Sequence, residues 1–320
     1  MDLSLVIPVF NERDNLPLLF EAIYKTMNEL NQSWEVVLVD DGSRDGSLSV
    51  LTEYAGKDPL HVRVISFRRN FGQTAALAAG IDHACGEIIV LMDSDMQNDP
   101  ADIPIMLAKL EEGYDLVSGW RKVRKDNAIT RNLPSGIANR IISLVTGVHL
   151  HDYGCTLKAY RRGALEGFRL YGEMHRFIPV FANSVGARIT EIPVRHYPRK
   201  FGKTKYGLER TVKVVLDLFT VKFLVSYASK PIYLFGGTGM ALILGSGALM
   251  FYLFIRRVFD AVSVLGSPLF QLAVMFFILG FQSMLMGLIA ELLVRTYHES
   301  QRKTTYIIST LINIEQDLHD

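Results

Sequence analysis

Short apolar runs that end in polar residues alternate with helix-spaced stretches over the first hundred or so positions. Leu3–Phe10 is nearly continuous in Leu, Val, Ile and Phe, which predicts a strand buried on both faces. Asn15 to Leu30 follows with Leu16, Leu19, Ile23, Met27 and Leu30 at helical spacing. Glu35–Asp41 predicts a second strand, Ser47–Ala55 a second helix, and Val62–Phe67 and Glu87–Met92 two more strands around a helix over Gln73–Ala84. A further strand is expected at Leu157–Tyr160. Alternation of this kind predicts an α/β domain on a mainly parallel sheet. The strands end in Asn11-Glu12, Asp40-Asp41, Arg68-Arg69-Asn70 and Asp93-Ser94-Asp95. Ligands of open parallel sheets bind beyond the carboxyl ends of the strands, so these four polar clusters are expected to form one site.

Two much longer apolar runs come later. Pro231–Ile255 carries no charge, and Ser267–Ala290 is similar. A membrane-spanning helix needs about 20 such residues, so two transmembrane helices are predicted, over 231–255 and 267–294. Both are rich in Gly and Ser, and the Gly236-Gly237-Thr238-Gly239 stretch reads as helix packing rather than as a phosphate loop. The link between them holds only Arg256 and Arg257 as basic residues, whereas Lys213, Lys222, Lys230, Arg295, Arg302 and Lys303 flank the other ends. That bias predicts a multi-pass protein of the inner or plasma membrane with both termini in the cytoplasm. Before the first run, 206–230 interleaves Leu208, Val212, Val215, Leu216 and Phe219 with Arg210, Lys213 and Lys222, a pattern expected of interfacial amphipathic helices. The expected division is a catalytic domain over 1–205, this interfacial segment, the two spans, and a tail over 295–320. In that tail the β-prone Thr304–Ile314 is expected to pair with a sheet edge, in this chain or in a neighbouring copy, which makes a homo-oligomer an expectation.

Composition refines this picture only slightly. A net charge of +1 over 320 residues gives no reason to expect nucleic-acid binding. Mean hydropathy is +0.19, with the excess concentrated after Pro231. Cys85 and Cys155 have no metal-ligand or disulfide spacing, and the first apolar run lacks the basic flank of a secretory signal, so a cytoplasmic, reducing setting is expected.

Candidate chemistry begins at Asp93-Ser94-Asp95. Carboxylates two apart at a strand end suit a hard divalent cation shared with diphosphate oxygens. That motif follows Val-Ile-Pro-Val-Phe-Asn-Glu, Val-Val-Leu-Val-Asp-Asp-Gly-Ser-Arg-Asp and Arg-Asn-Phe-Gly-Gln-Thr-Ala-Ala, in that order. Downstream stand His151-Asp152-Tyr153-Gly154-Cys155 and the basic run His196-Tyr197-Pro198-Arg199-Lys200-Phe201-Gly202-Lys203-Thr204-Lys205-Tyr206. Arg and Lys in such a run suit phosphate binding. On these motifs the chain resembles the family 2 glycosyltransferases of the GT-A fold, in the polyprenyl-phosphate branch that includes bactoprenol glucosyltransferases and dolichyl-phosphate mannose synthases. The resemblance extends over essentially the whole chain, with Thr204 where the branch usually has Ser and with Lys200 as an extra cation.

That resemblance implies roles for individual residues. Pro8, Asn11, Glu12, Asp40, Asp41, Gly72, Gln73 and Asp93 would bind the nucleotide-sugar donor. Asp93 and Asp95 would hold Mg2+ or Mn2+. Gln97, Arg121, Arg199, Lys203 and Lys205 would serve the acceptor phosphate. Asp152 matches the family's candidate base, although an anionic phosphate acceptor needs little deprotonation, so an orienting role is equally open. The implied reaction is an inverting transfer of a hexose, glucose from UDP-glucose first, to undecaprenyl or another polyprenyl phosphate. UDP-N-acetylglucosamine, UDP-galactose, UDP-amino-arabinose and GDP-mannose are alternative donors. A processive polysaccharide synthase is disfavoured because no Gln-x-x-Arg-Trp motif is present, and a non-catalytic scaffold because the carboxylates and cations are intact.

Overall fold

The computed structural model describes residues 1–122, 139–166 apart from 141 and 145, 170, 174–198, 232–260, 263–300 and 306–314. The chain forms two compact units, residues 1–221 with 304–320, and residues 222–303.

The first unit is built on β1 (Leu3–Val9), α1 (Leu16–Met27), β2 (Trp34–Asp40), α2 (Ser47–Lys57), β3 (Val62–Phe67), α3 (Gln73–His83) and β4 (Ile88–Leu91). β1 lies between β2 and β4, and β3 extends the same parallel set beyond β2. Every residue of β2 is buried, as expected of a strand covered on both faces. α1 turns Leu16, Leu19, Phe20, Ile23 and Met27 into the core, with a proline in its first turn where the missing N–H costs nothing. α3 buries Ala75, Ala76 and Ala79, and these short side chains let it lie close against β1 and β2.

The sheet then continues through α4 (Ile103–Glu111), β5 (Leu116–Trp120), β6 (Lys158–Arg161), α5 (Ile178–Ser184), β7 (Ile189–Pro193) and, from the far end of the chain, β8 (Ile308–Ile312). The eight described strands run in the order β7-β5-β6-β4-β1-β2-β3-β8. β6 is antiparallel to both β4 and β5, β8 is antiparallel to β3, and the remaining pairs are parallel. The β-prone tail therefore pairs with the β3 edge of its own chain. Tyr306 fastens it by stacking on Phe67 at 5.2 Å and donating a hydrogen bond to Asp82, while Asn313 donates to the carbonyls of Ala55 and Val62.

The turn after β2 shows why its sequence is so restricted. Gly42 has φ +72°, and a Cβ there would lie 2.6 Å from the Arg69 carbonyl carbon and 2.8 Å from the Asn70 nitrogen. Gly42→Ala is therefore expected to cost at least about 2 kcal/mol, from left-handed strain and a backbone clash that no rotamer relieves. Thermal unfolding of the full chain in detergent reads the effect, and an unchanged midpoint would count against it.

The second unit is a helix pair, α6 (Ile232–Asp260) and α7 (Pro268–Ser300). α6 continues through Arg256 and Arg257, which the sequence places in the link. Leu234–Phe259 and Pro268–Ala290 are long and apolar enough to cross a membrane. Only 17% of the most apolar stretch of each is buried, whereas the core helix of a soluble protein would be mostly covered. The Gly-Gly-Thr-Gly stretch is at the seam: a Cβ on Gly239 would lie 2.6 Å from the Gly280 carbonyl oxygen. Hydroxyls join the helices, with Ser246 donating to the Ala273 carbonyl at 2.7 Å and Ser283 to that of Phe235 at 2.8 Å. Small residues and hydroxyl bonds of this kind are what hold helices together where lipid removes the hydrophobic drive.

Candidate functional site

The polar residues that end β1 to β4 converge at one edge of the sheet, as the alternation predicts. After β1, Asn11 takes φ +56°, which asparagine tolerates better than most residues. Its N–H donates to Ser43 Oγ at 2.9 Å and its Oδ1 accepts the Arg44 N–H at 2.8 Å, joining the first two loops. Glu12 accepts from Asn15 Nδ2 and donates its backbone N–H to Ser47 Oγ. Asp45 receives the N–H groups of Arg13 and Ser47 and the Ser47 hydroxyl, and these bonds outweigh burial and lower its pKa. Pro8 is half-buried within β1 beside Val39.

The two aspartates after β2 are both buried. Asp40 accepts from the Ser43 N–H and the Ser66 hydroxyl, each at 3.2 Å. Asp41 accepts the N–H groups of Phe71 at 2.6 Å and Gly72 at 2.9 Å. Burial pushes both carboxyls up, and these hydrogen bonds pull against it. The pair thus ties the third loop to the second and fixes the entry into α3, whose first residue is Gln73.

Gln73 carries the construction onward, because its Nε2 donates to Asp93 Oδ1 at 2.7 Å. The other oxygen of Asp93 accepts the Thr156 hydroxyl at 2.7 Å. Burial first, and then the charge of Asp95, push the Asp93 acid up to about 6. Asp95 is 6% exposed and accepts the N–H of Gln97 at 3.1 Å. Among the described residues no three His, Cys, Asp or Glu side chains gather around a point. A divalent ion would therefore take this carboxylate pair and complete its shell from a phosphate ligand and water, the manner in which Mg2+ is commonly held. A crowded, buried, like-charged pair fits that use, since a cation relieves the repulsion that raises Asp93.

Opposite Asp93 stands a buried ion pair. Asp152, 1% exposed, accepts Arg121 Nε at 2.7 Å on Oδ2 and Arg121 Nη2 at 3.0 Å on Oδ1. The backbone N–H groups of Arg121 and Gly154 add two more bonds. Burial works against the guanidinium's charge, but Asp152 more than compensates and raises its pKa. The flanking residues repeat the pairing: Trp120 stacks on His151 at 4.4 Å, and His151 bonds through its N–H and Nδ1 to Glu191 of β7. Arg121, expected to meet the acceptor, bonds Asp152 through its Nε and Nη2.

Past Gln97, Asn98 forms a β-bridge with His196, and Tyr197 donates its N–H to the Gln97 carbonyl. Arg195 locks this contact by pairing with Asp102 at 2.8 Å and Asp99 at 3.2 Å. The loop of the carboxylate pair is thus fastened to the strand that leads into the basic run. Arg199, Lys203 and Lys205, like the 206–230 segment, lie outside the described residues.

Sequence reasoning missed Thr156, Lys158 and the 174–177 segment, where His175 shares a 2.8 Å hydrogen bond with Thr74. Lys158 could have been found, because a charged residue inside the apolar run Leu157–Tyr160 needs a reason to be there.

Comparison with known proteins gives these contacts a setting. A family model described as "Glycosyl transferase family 2" matches residues 4–168. A dodecaprenyl-phosphate galacturonate synthase of Rhizobium johnstonii is 42% identical over 98% of this chain and 94% of its own length. An undecaprenyl-phosphate 4-deoxy-4-formamido-L-arabinose transferase of Yersinia enterocolitica is 36% identical over 98% of this chain and 94% of its own. Among solved structures, glucosyl-3-phosphoglycerate synthase from Mycobacterium tuberculosis in complex with UDP is similar in fold, with a TM-score of 0.51 at 18% identity, over 69% of this chain and 80% of that one.

Proposed function

The chain belongs to glycosyl transferase family 2, and from that premise we propose that it moves the sugar of a nucleoside-diphosphate sugar onto a polyprenyl phosphate at a membrane surface. It is a glycosyltransferase with a GT-A fold. The observation that carries the acceptor is the extent of the similarity. Relatives named for dodecaprenyl and undecaprenyl phosphate align over 98% of the chain, well beyond residues 4–168 and through the apolar helix pair. A lipid phosphate presents its head group at the bilayer surface, and two spanning helices would keep the enzyme there. The charge bias of the flanks supports a catalytic unit on the cytoplasmic side.

In the proposed reaction a phosphate oxygen of the acceptor attacks the anomeric carbon. The bond from that carbon to the donor diphosphate breaks, and the nucleoside diphosphate leaves with the electron pair, inverting the configuration. The strand ends and loops that carry Pro8, Asn11, Glu12, Asp40, Asp41 and Gly72 form the donor pocket, and Gln73 orients Asp93. Asp93 and Asp95 would hold Mg2+ or Mn2+, which when bound stabilises charge on the departing diphosphate. The acceptor phosphate is already ionised, so no strong base is needed. The state of Asp152 supports this reading: four donated hydrogen bonds take up about all the lone-pair sites a carboxylate has. It orients Arg121 and the Tyr153–Thr156 turn. Gln97, Arg199, Lys203 and Lys205 would receive the acceptor phosphate.

For the donor, the names of the relatives move the support away from the glucose read from the sequence. One acts with galacturonate, at 42% identity, and others with 4-deoxy-4-formamido-L-arabinose. We place UDP-galacturonate first. The test is a panel of UDP-galacturonate, UDP-formamido-arabinose, UDP-glucose, UDP-N-acetylglucosamine and GDP-mannose. It is run on the purified full chain with undecaprenyl phosphate, with and without Mg2+ or Mn2+. One donor is expected to exceed the rest by at least about tenfold, since a site built to bond a polar group rejects analogues lacking it. No glycolipid from any donor would overturn the acceptor reading. Turnover of glucose alone would return the donor to the one first expected.

A further inference from the structure

Lys158 is a buried cation to which the proposed reaction assigns no role. It lies in β6, opposite Leu91 of β4 and Ser118 of β5, between the strand that leads to Asp93 and the strand that leads to Arg121. The residue is 3% exposed, and its Nζ donates to the carbonyls of Cys155 and, at 3.4 Å, Tyr153. These carbonyls flank the turn that makes both polar links of the site: Asp152 bonds the Arg121 guanidinium and the Gly154 N–H, and Thr156 donates to Asp93.

We propose that Lys158 is a positioning residue of the transfer site, whose ammonium clamps the Tyr153 and Cys155 carbonyls and thereby presents Asp152 to Arg121 and Thr156 to Asp93. The inference rests on the reading of that site as the place of sugar transfer. Three observations support it. An apolar side chain would fill the same space without the cost of burying a charge, so the charge needs a use. Packing alone does not hold the turn, because a small cavity lined by Lys158, Tyr160, His175 and Arg176 adjoins Tyr153–Thr156, and the Tyr160 phenol beside it is buried without a hydrogen-bond partner among the described residues. Asp93 and Asp152 also offset electrostatically part of what burial takes from the ammonium, so its charge belongs to the same buried network as Arg121.

The test compares Lys158→Met, which keeps the bulk, and Lys158→Arg, which keeps the charge, with the wild type in the full-length chain. For K158M we expect kcat to fall by roughly 10²-fold, as misplacing reacting groups by about an ångström does, while UDP binds at unchanged stoichiometry. K158R is expected to recover to within about tenfold of wild type, and a merely bulk-filling role would instead leave the methionine variant the more active. Independently of turnover, hydrogen exchange of peptides spanning 150–158 and 119–122 should rise in K158M with no change elsewhere in the sheet. K158M within threefold of wild-type kcat, or unchanged exchange in those peptides, would overturn the proposal. If K158M does not accumulate as folded protein, K158R decides alone: wild-type exchange over 150–158 supports the clamp, and local loosening at recovered activity refutes it. A wild type inactive with every donor defeats the functional reading, and the exchange measurement still decides the role of Lys158.

Discussion

Replacing Asp95 by asparagine is expected to lower kcat for sugar transfer by about 10³-fold while leaving the fold intact. The substitution is isosteric, and the side-chain oxygen that accepts the Gln97 N–H is retained. What is lost is the negative charge. A bound divalent ion at a phosphate leaving group contributes several kcal/mol of transition-state stabilisation, and each 1.36 kcal/mol is about tenfold in rate. Loss of most of it gives roughly 10³. Asp93→Asn should cost less, because the two oxygens of Asp93 already accept from Gln73 and Thr156. Stability should move the other way: burial and then the charge of Asp95 raise the Asp93 acid to about 6, so removing one charge relieves the folded state. The measurements are initial rates at saturating donor and metal, and thermal midpoints of both variants. If D95N keeps more than about a tenth of wild-type activity, the carboxylate pair is not the metal site.

How far the sequence reveals this molecule depends on whether a feature is local. β1 to β4 and α1 to α3 were legible because each depends on a run of apolar side chains within about a dozen residues, and because parallel strands covered on both faces read as unbroken Val, Ile and Leu. The same holds for α6 and α7, where length and lack of charge are enough. The place of β6 was not legible. Its insertion, antiparallel, between β4 and β5 depends on pairing residues about 70 positions apart at Leu91 and Lys158, and no periodicity records that. Asp40, Asp41, Asp93 and Asp95 stood out because strand ends are where a parallel sheet binds ligands. Thr156 and His175 did not, since a hydroxyl and an imidazole carry no signal until the chain brings Asp93 and Thr74 to them. Arg121 was read for its charge alone, and its carboxylate partner, 31 residues away, was not legible.

That partner sets up the second large effect, on stability. Arg121→Gln is expected to destabilise the catalytic unit by about 3–5 kcal/mol, because it leaves Asp152, 1% exposed, as a buried charge without its counterion. The Arg121 side chain keeps 19% of its surface exposed, so water screens part of its charge, and Asp152→Asn should cost less, about 2–3 kcal/mol. The double variant is the informative one. With both charges gone, neither desolvation penalty remains, and the two introduced amide side chains retain groups able to bond each other and the Gly154 N–H. R121Q/D152N is therefore expected to be more stable than R121Q alone, with a coupling of at least about 2 kcal/mol, well beyond the few tenths seen between independent sites. Activity should not recover with stability, since the proposed transfer relies on the guanidinium that Asp152 orients and on the turn held beside it. All three variants should stay at least about 10²-fold below wild type. Chemical unfolding of the four proteins in one detergent, read beside their kcat values, separates the two effects. Additive stabilities would mean that the pair is a surface-like contact, and a double variant with restored kcat would mean that it serves the fold and not the reaction.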